Sequence, residues 1–337
     1  MAGIEEVARL AGVSTATVSR ALSGNVHVSP ATRSKVEAAA LELDYVVSSN
    51  ASSLASGRTR NIAVVVPFLA RWFFSSVLEG VQSALLRHGY DLTLYNLSGD
   101  ADERHSVFEH FLLRQRVDAV IAISLELTEA EVKRLHTLAK PLVGIGGPIS
   151  GVRTLSIDDT LIARLATEHL ISLGHTEIAH IGGSPEFDLD FHMSTNRRLG
   201  YESALEAAGL AADPASFAPA DFTIHGGYHA AKQLLGAPQG RPTAVFASSD
   251  EMAIGAILAA RDLGLVVPRD VSIVGVDDHD LSDFFGLTTV AQFPRGQGEM
   301  AVEILMEELK PTTEAAPAAP ALPYELIVRS STAVPPA

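Results

Sequence analysis

The sequence contains no cysteine. Disulfides and thiolate chemistry are therefore excluded, though the compartment is not decided by that alone. No apolar run approaches the ~20 residues needed to cross a bilayer, so no membrane partner is expected. The opening stretch MAGIEEVARL carries Glu5 and Glu6 and lacks a basic or apolar leader region. It is not a secretory signal, and a cytoplasmic, nucleoid-associated protein is expected. Positive charge is scarce too, with 25 Lys and Arg against 40 Asp and Glu. The shortage is uneven. Residues 1–60 hold six basic and five acidic residues, a net of +1, while the remainder holds 19 and 35, a net of −16. An acidic body is repelled by phosphates, so any nucleic-acid contact falls to those first sixty residues. The same negative charge also keeps a large domain soluble.

Catalytic signatures are missing as well. No G-x-S-x-G elbow, P-loop or G-x-G-x-x-G is present; GIGGP fails the spacing, and its proline blocks the following helix. His225 and His229 stand four apart, as two helix-borne metal ligands would, but only Gly226, Gly227 and Tyr228 lie between them. The run DDHD, Asp277 to Asp280, has the carboxylates of a strand-end turn, which are usually solvated or bonded to hydroxyls. No metal, no cofactor and no enzyme activity are expected. A sugar-processing enzyme fused to a DNA-binding module is the distant alternative.

At 337 residues and 47% apolar composition, the chain has room for two or three domains with sizeable cores. Ile4, Val7, Ala8 and Ala11 recur at helical spacing, and Gly12 ends the pattern. Ser14 is a good N-cap for a second helix, Thr15 to Leu22, whose small residues alternate with hydroxyls. A third helix follows Ser29 as cap and Pro30 as first residue, with Val36, Ala39, Ala40 and Leu43 turned inward. Two short helices about a glycine turn are the helix-turn-helix pattern. In that geometry the second helix enters the major groove. Thr15 and Thr17 could bond base edges, Ala16 could touch a thymine methyl, and Arg20 could reach a guanine or a phosphate. A simple three-helix packing module would show the same pattern.

The continuous stretch IEEVARLAGVSTATVSRALSGNVHVSPATRSKVEAAALELDYV resembles the DNA-binding headpiece of the LacI/GalR family of bacterial transcription regulators. The resemblance implies a headpiece over 1–47, a hinge over 48–60 and an effector-binding, dimerising body over 61–337. The DNA-contacting residues it implies are Ser14, Thr15, Ala16, Thr17, Ser19 and Arg20, with Ser29, Thr32 and Arg33 on the third helix. Leu54 would be the hinge leucine that wedges into the minor groove. From composition, SSNASSLASGRTR reads as a flexible linker, yet Ala51, Leu54 and Ala55 would form one stripe on a short helix. Such a helix is too short to be stable alone and would need a second copy or DNA to order it. Val47 and Ser48 stand where proline and asparagine are usual in the family, and Ser52 where arginine or glutamine is common. An inert tether is the other reading.

From Asn61 onward apolar strands alternate with helices, implying parallel βαβ units. The chain then repeats itself. Gly80, Ser83, Ala84, Leu85 and Gly89 match Gly200, Ser203, Ala204, Leu205 and Gly209, 120 residues on. The expected fold is an α/β core of two doubly wound, periplasmic-binding-protein-like subdomains behind an all-α headpiece. The first subdomain would span about 61–156 and 291–317, the second about 157–290 and 318–332. Ligands in such sheets bind beyond the carboxyl ends of the strands, here in the cleft between subdomains.

The resemblance extends through RRLGYESAL, PTAVFASSDEMAIGAI, DVSIVGVDD and LPYELIVRSST. It implies effector contacts from Arg197 and Asp277, each taking adjacent hydroxyls, and aromatic faces from Phe73 and Phe222. Ser124, Ser249, Asp250 and Gln292 complete the expected set, and Trp72 would gate the opening. Ser249 replaces a frequent asparagine, and Gly146 and Gly147 stand where many members have an aspartate. A smaller, less polar wall there would suit a ligand bulkier than, or unlike, a plain hexose. No leucine heptads follow IVRSST, so a homodimer is expected rather than a tetramer. The implied function is a repressor binding double-stranded palindromic operator DNA under control of a small-molecule effector, a sugar or sugar derivative. A nucleobase, nucleoside or other non-sugar co-repressor is the alternative.

Overall fold

The computed structural model describes residues 3–22, 28–45, 58–97, 101–112, 116–138, 140–184, 191–236, 239–310 and 319–336. Leu54 and the rest of 46–57 lie outside the described residues. Helix α1 covers Ile4–Ala11, α2 Thr15–Leu22 and α3 Pro30–Glu42. Val7, Ala8, Val18, Ala21, Val36, Ala39 and Ala40 close a small core among them. The helix ends follow local chemistry. The Gly3 N–H donates to the Glu6 carboxylate, Gly12 takes the left-handed conformation at φ 67°, and the Ser14 hydroxyl accepts from the Thr17 N–H. Ser29 does the same for Thr32 ahead of Pro30.

Two sheets form the body. The first has the order β2-β1-β3-β4-β5, from β1 (Asn61–Val66), β2 (Asp91–Asn96), β3 (Ala119–Ile123), β4 (Leu142–Ile145) and β5 (Arg153–Leu155), all parallel. Side chains alternate strictly along β1. Ile62, Val64 and Val66 enter one core, whereas Ala63 and Val65 enter the core on the opposite face. Both faces are covered by helices, which is why the strand reads as an unbroken apolar run. The second sheet has the order β11-β10-β9-β8-β6-β7, from β6 (Ile178–Gly183), β7 (Phe217–Ala220), β8 (Ala244–Ala247), β9 (Ser272–Asp277), β10 (Thr288–Ala291) and β11 (Glu325–Ile327). Only the β10–β11 pair is antiparallel.

The chain changes sheet after β5, again after β10, and a third time before β11. Helix Pro294–Glu308 follows β10 but packs Ala301, Val302 and Leu305 into the first subdomain's core. Leu322 lies in that same core, so the return crossing falls between it and Glu325, later than position 318.

The repeated glycines have a common physical reason. A methyl on Gly80 would lie 2.0 Å from the Arg295 carbonyl oxygen, and one on Gly200 would lie 2.2 Å from that of Thr160. Each is where helix backbones cross at a distance that no side chain permits. The second repeated glycine, Gly89 or Gly209, takes φ 71° or 72° just past its helix. The repeat is thus one supersecondary unit built twice.

Candidate effector cleft and recognition helix

On α2, Val18 and Ala21 are buried, which leaves Thr15, Ala16, Ser19 and Arg20 exposed on the opposite face. Ser14 and Thr17 bond each other's hydroxyls at 2.9 Å and complete the cap. Ser29 is exposed, while Thr32 and Arg33 are half-buried. The face left over is uncharged apart from one arginine.

In the body, the carboxyl ends of the strands meet across a cleft. Of the expected residues, Phe73, Ser124, Arg197, Phe222, Ser249, Asp277 and Gln292 all line it. The floor is a polar chain. Arg197, on helix Met193–Ala207, donates from Nε to Asp159 Oδ1 at 2.8 Å and from Nη1 to the Ser248 carbonyl. Gln292 donates to Asp277 Oδ1 at 2.7 Å, and Gln297 donates to the Gln292 carbonyl at 2.8 Å. Burial pushes the Asp277 carboxyl well above its ordinary range; Arg197 opposes that shift, and Asp250 and Glu251 reinforce it. Backbone strain collects here. Ser124, Phe191, His192, Phe222, Asp277, Asp278 and Phe293 all have positive φ, and apart from Asp44 and Arg60 they are the described non-glycine residues that do. Strain of this kind persists where surrounding structure holds it, commonly at ligand sites.

Two expected residues sit elsewhere. Asp250 is fully buried behind the cleft wall. Its carboxylate accepts from the His279 N–H, the Ser282 hydroxyl and the Thr289 hydroxyl at 2.7–2.9 Å. With those three donors in place it faces protein rather than ligand. Trp72 is at the lip. Its ring lies 4.8 Å from that of His279, and its Nε1 donates to Asp280 at 3.0 Å. Arg71 donates to the Asp221 carbonyl. The start of helix Trp72–Arg87 therefore clasps the second subdomain.

The glycines of the first-subdomain wall do not leave extra room. A methyl on Gly147 would fall 2.1 Å from the Phe191 ring, which reaches over from the second subdomain and packs on the first core. The expectation of a roomier wall is thus corrected: an aromatic ring from the opposite lip occupies that space. Sequence reasoning also missed Phe68, Arg71, Phe74, Asp159, Met193 and Glu251. Only Asp159, directly after the strand TLSID, carried a local hint. The DDHD run is divided among protein partners, with Asp277 on Gln292, Asp278 on Arg329 and Asp280 on Trp72. The His225 and His229 Nε2 atoms approach to 3.1 Å, but no group of three potential metal ligands occurs among the described residues.

The buried carboxyls make stability depend on pH. Asp250 is pushed up to about 7 by burial, against the pull of its hydrogen bonds. A carboxyl with a raised folded-state value holds its proton in the folded protein after the unfolded chain has released it. Its contribution is complete below about pH 4 and is lost as pH rises through about 7. His180, pushed down to about 3 by burial, acts in the opposite sense below about pH 6.5. The Asp250 effect is therefore read as a difference. The melting temperature of wild type minus that of Asp250→Asn is expected to fall steadily from pH 5 to pH 8. A constant or growing difference refutes the assignment.

Comparison with known proteins matches both halves. Residues 3–48 fit the model of bacterial regulatory proteins, lacI family, and residues 167–332 fit a periplasmic binding protein-like domain. The ribose operon repressor of Escherichia coli (strain K12) is 35% identical over 318 residues, covering 93% of this chain and 94% of that one. This chain belongs to the LacI family. The HTH-type transcriptional repressor PurR of Vibrio atlanticus (strain LGP32) is 37% identical over 315 residues, covering 92% of each chain. The lac repressor dimer bound to operator and the anti-inducer ONPF superposes with a TM-score of 0.84 at 28% identity, covering 98% of this chain and 99% of that one. This LacI-family chain is a DNA-binding transcription regulator and not an enzyme. No helix among its described residues is long and apolar enough to cross a membrane.

Proposed function

We propose that the protein is a repressor that binds a palindromic operator as a homodimer and is switched by a small molecule in the inter-subdomain cleft. The observation that carries this is the joining of two sites in one chain. An exposed Thr15, Ala16, Ser19 and Arg20 face precedes a body whose strained strand ends converge on a polar, aromatic-walled cavity. The end of the connecting segment is anchored on the first subdomain. Asp118 accepts from the Thr59 and Arg60 N–H groups at 2.8 and 2.9 Å, and Arg58 donates to the Leu309 carbonyl at 2.7 Å. Thr59 and Arg60 enter β1 at its amino end, opposite the cleft. Rotation of one subdomain against the other therefore changes the spacing of two headpieces in a dimer. A hinge segment of marginal helix stability needs only a few kcal/mol of differential ligand binding to switch.

Hydrogen-bonding groups on the floor and phenylalanine faces on the walls suit the hydroxyls and apolar face of a sugar or sugar derivative. The four phenylalanines Phe68, Phe73, Phe74 and Phe222 also favour a planar ring, which keeps a nucleobase or nucleoside co-repressor as the second reading. The test is selection of sheared genomic DNA by full-length protein, followed by footprinting. Enrichment of an inverted repeat with half-sites about one helical turn apart is expected. Binding without sequence preference, or by a monomer to a single half-site, refutes the proposal.

A further inference from the structure

We propose that the cleft selects an uncharged effector and rejects its phosphorylated counterparts, because the chain's own carboxylates already occupy the positions a phosphate would take. This rests on the reading of the cleft as the effector site. Two cations line the cavity, Arg71 and Arg197, against three carboxyl groups, Asp159, Glu251 and Asp277, the last held toward its neutral form by burial, with no lysine or histidine among the lining residues. Both arginines are engaged by the protein. Arg197 spends its Nε on Asp159 at 2.8 Å and its Nη1 on the Ser248 carbonyl, with its side chain only 6% exposed. Arg71 donates to the Asp221 carbonyl, its guanidinium 4.5 Å from the centre of the Phe68 ring.

The amino end of helix Trp72–Arg87 faces the same space and has no side-chain cap of its own. Helix amino ends attract anions. Here the Glu251 carboxyl of the second subdomain lines the same cavity. A phosphate entering would have to displace Asp159 from Arg197 or lie beside Glu251, leaving the buried Asp159 carboxylate unpaired beside its own charge. Asp250, just behind the wall, adds a further carboxyl of the same kind. Hydroxyl groups meet no such conflict. They donate to Asp159, Glu251 or Asp277 and accept from the side-chain amides, while Phe73 and Phe222 cover an apolar face.

The test is calorimetric titration of the full-length protein with matched pairs: D-ribose and D-ribose 5-phosphate, D-glucose and D-glucose 6-phosphate, adenosine and adenosine 5′-monophosphate. At least one uncharged member is expected to bind, with its phosphate about 100-fold weaker or more. Glu251→Gln and Asp159→Asn are each expected to narrow that gap about tenfold or more. Thermal melts report whether each variant is folded; if Asp159→Asn is not, Glu251→Gln decides alone. A phosphate that binds as tightly as its uncharged partner, or a gap unmoved in the folded variants, overturns the proposal. Binding of none of the six, or binding that Phe222→Ala leaves unchanged, instead overturns the placement of the effector in this cleft.

Discussion

Arg20→Ala is expected to abolish operator discrimination while leaving the headpiece folded. Arg20 is exposed on α2 and contributes nothing to the core of Val7, Val18 and Val36, so its loss costs little stability. One good contact between an arginine and a base edge is worth about 1–3 kcal/mol of discrimination. A dimer loses it twice. Operator affinity should therefore fall by about 30-fold to about 10⁴-fold. Affinity for unrelated duplex should change far less, since phosphate contacts carry that binding. Electrophoretic mobility shift with operator and scrambled duplex at one stated salt concentration reads both. An operator affinity within threefold of wild type would remove α2 from the groove.

The second large effect concerns the cleft floor. The double variant Arg197→Ala/Asp277→Ala is expected to bind operator like the wild type but to lose its response to effector. A charge-assisted hydrogen bond from Arg197 is worth about 1.5–3 kcal/mol and one to the Asp277 carboxyl, held toward its neutral form by burial, about 0.5–1.5 kcal/mol; both side chains face the cavity. Their joint loss amounts to about 30-fold to about 2,000-fold in effector affinity. Both Arg197→Ala and the double variant should be less stable than the wild type, because each strands the buried Asp159 that Arg197 holds at 2.8 Å, at a cost of about 3–5 kcal/mol. Thermal melts of the single and double variants, with operator titrations at saturating effector, separate stability from response. Retention of the effector response by a folded double variant would place the ligand elsewhere.

The headpiece was readable residue by residue because its signals are local. A serine three residues before an amide, a proline at a first helical turn and a glycine past a last one each act within a few positions. The helix expected at Thr15 to Leu22 is the helix observed. Strand alternation and the repeated glycine motif were equally local, and both subdomains followed from them. Asp277 and Gln292 could be placed because one ends a strand and the other directly follows one, and parallel strands deliver such residues to one edge.

Side-chain direction at the cleft was another matter. Asp250 stands just past the end of β8, as Asp277 stands at the end of β9, yet donors from residues 279, 282 and 289 turn its carboxyl into the protein. Nothing near position 250 announces donors that arrive thirty to forty residues later. Gly147 looked like lost polarity in isolation, and only the closed arrangement of the subdomains puts the Phe191 ring against it. Glu251 is the same case, a carboxyl brought to the cavity by the second subdomain.

Periodicity, capping and composition therefore dictated which segments are helix or strand, how many subdomains form and which helix faces outward, because those forces act between near neighbours in the chain. Which carboxylates are free, which arginines are already neutralised and what fills the wall beside Gly147 depended on groups far apart in sequence, which meet only where the two sheets face each other.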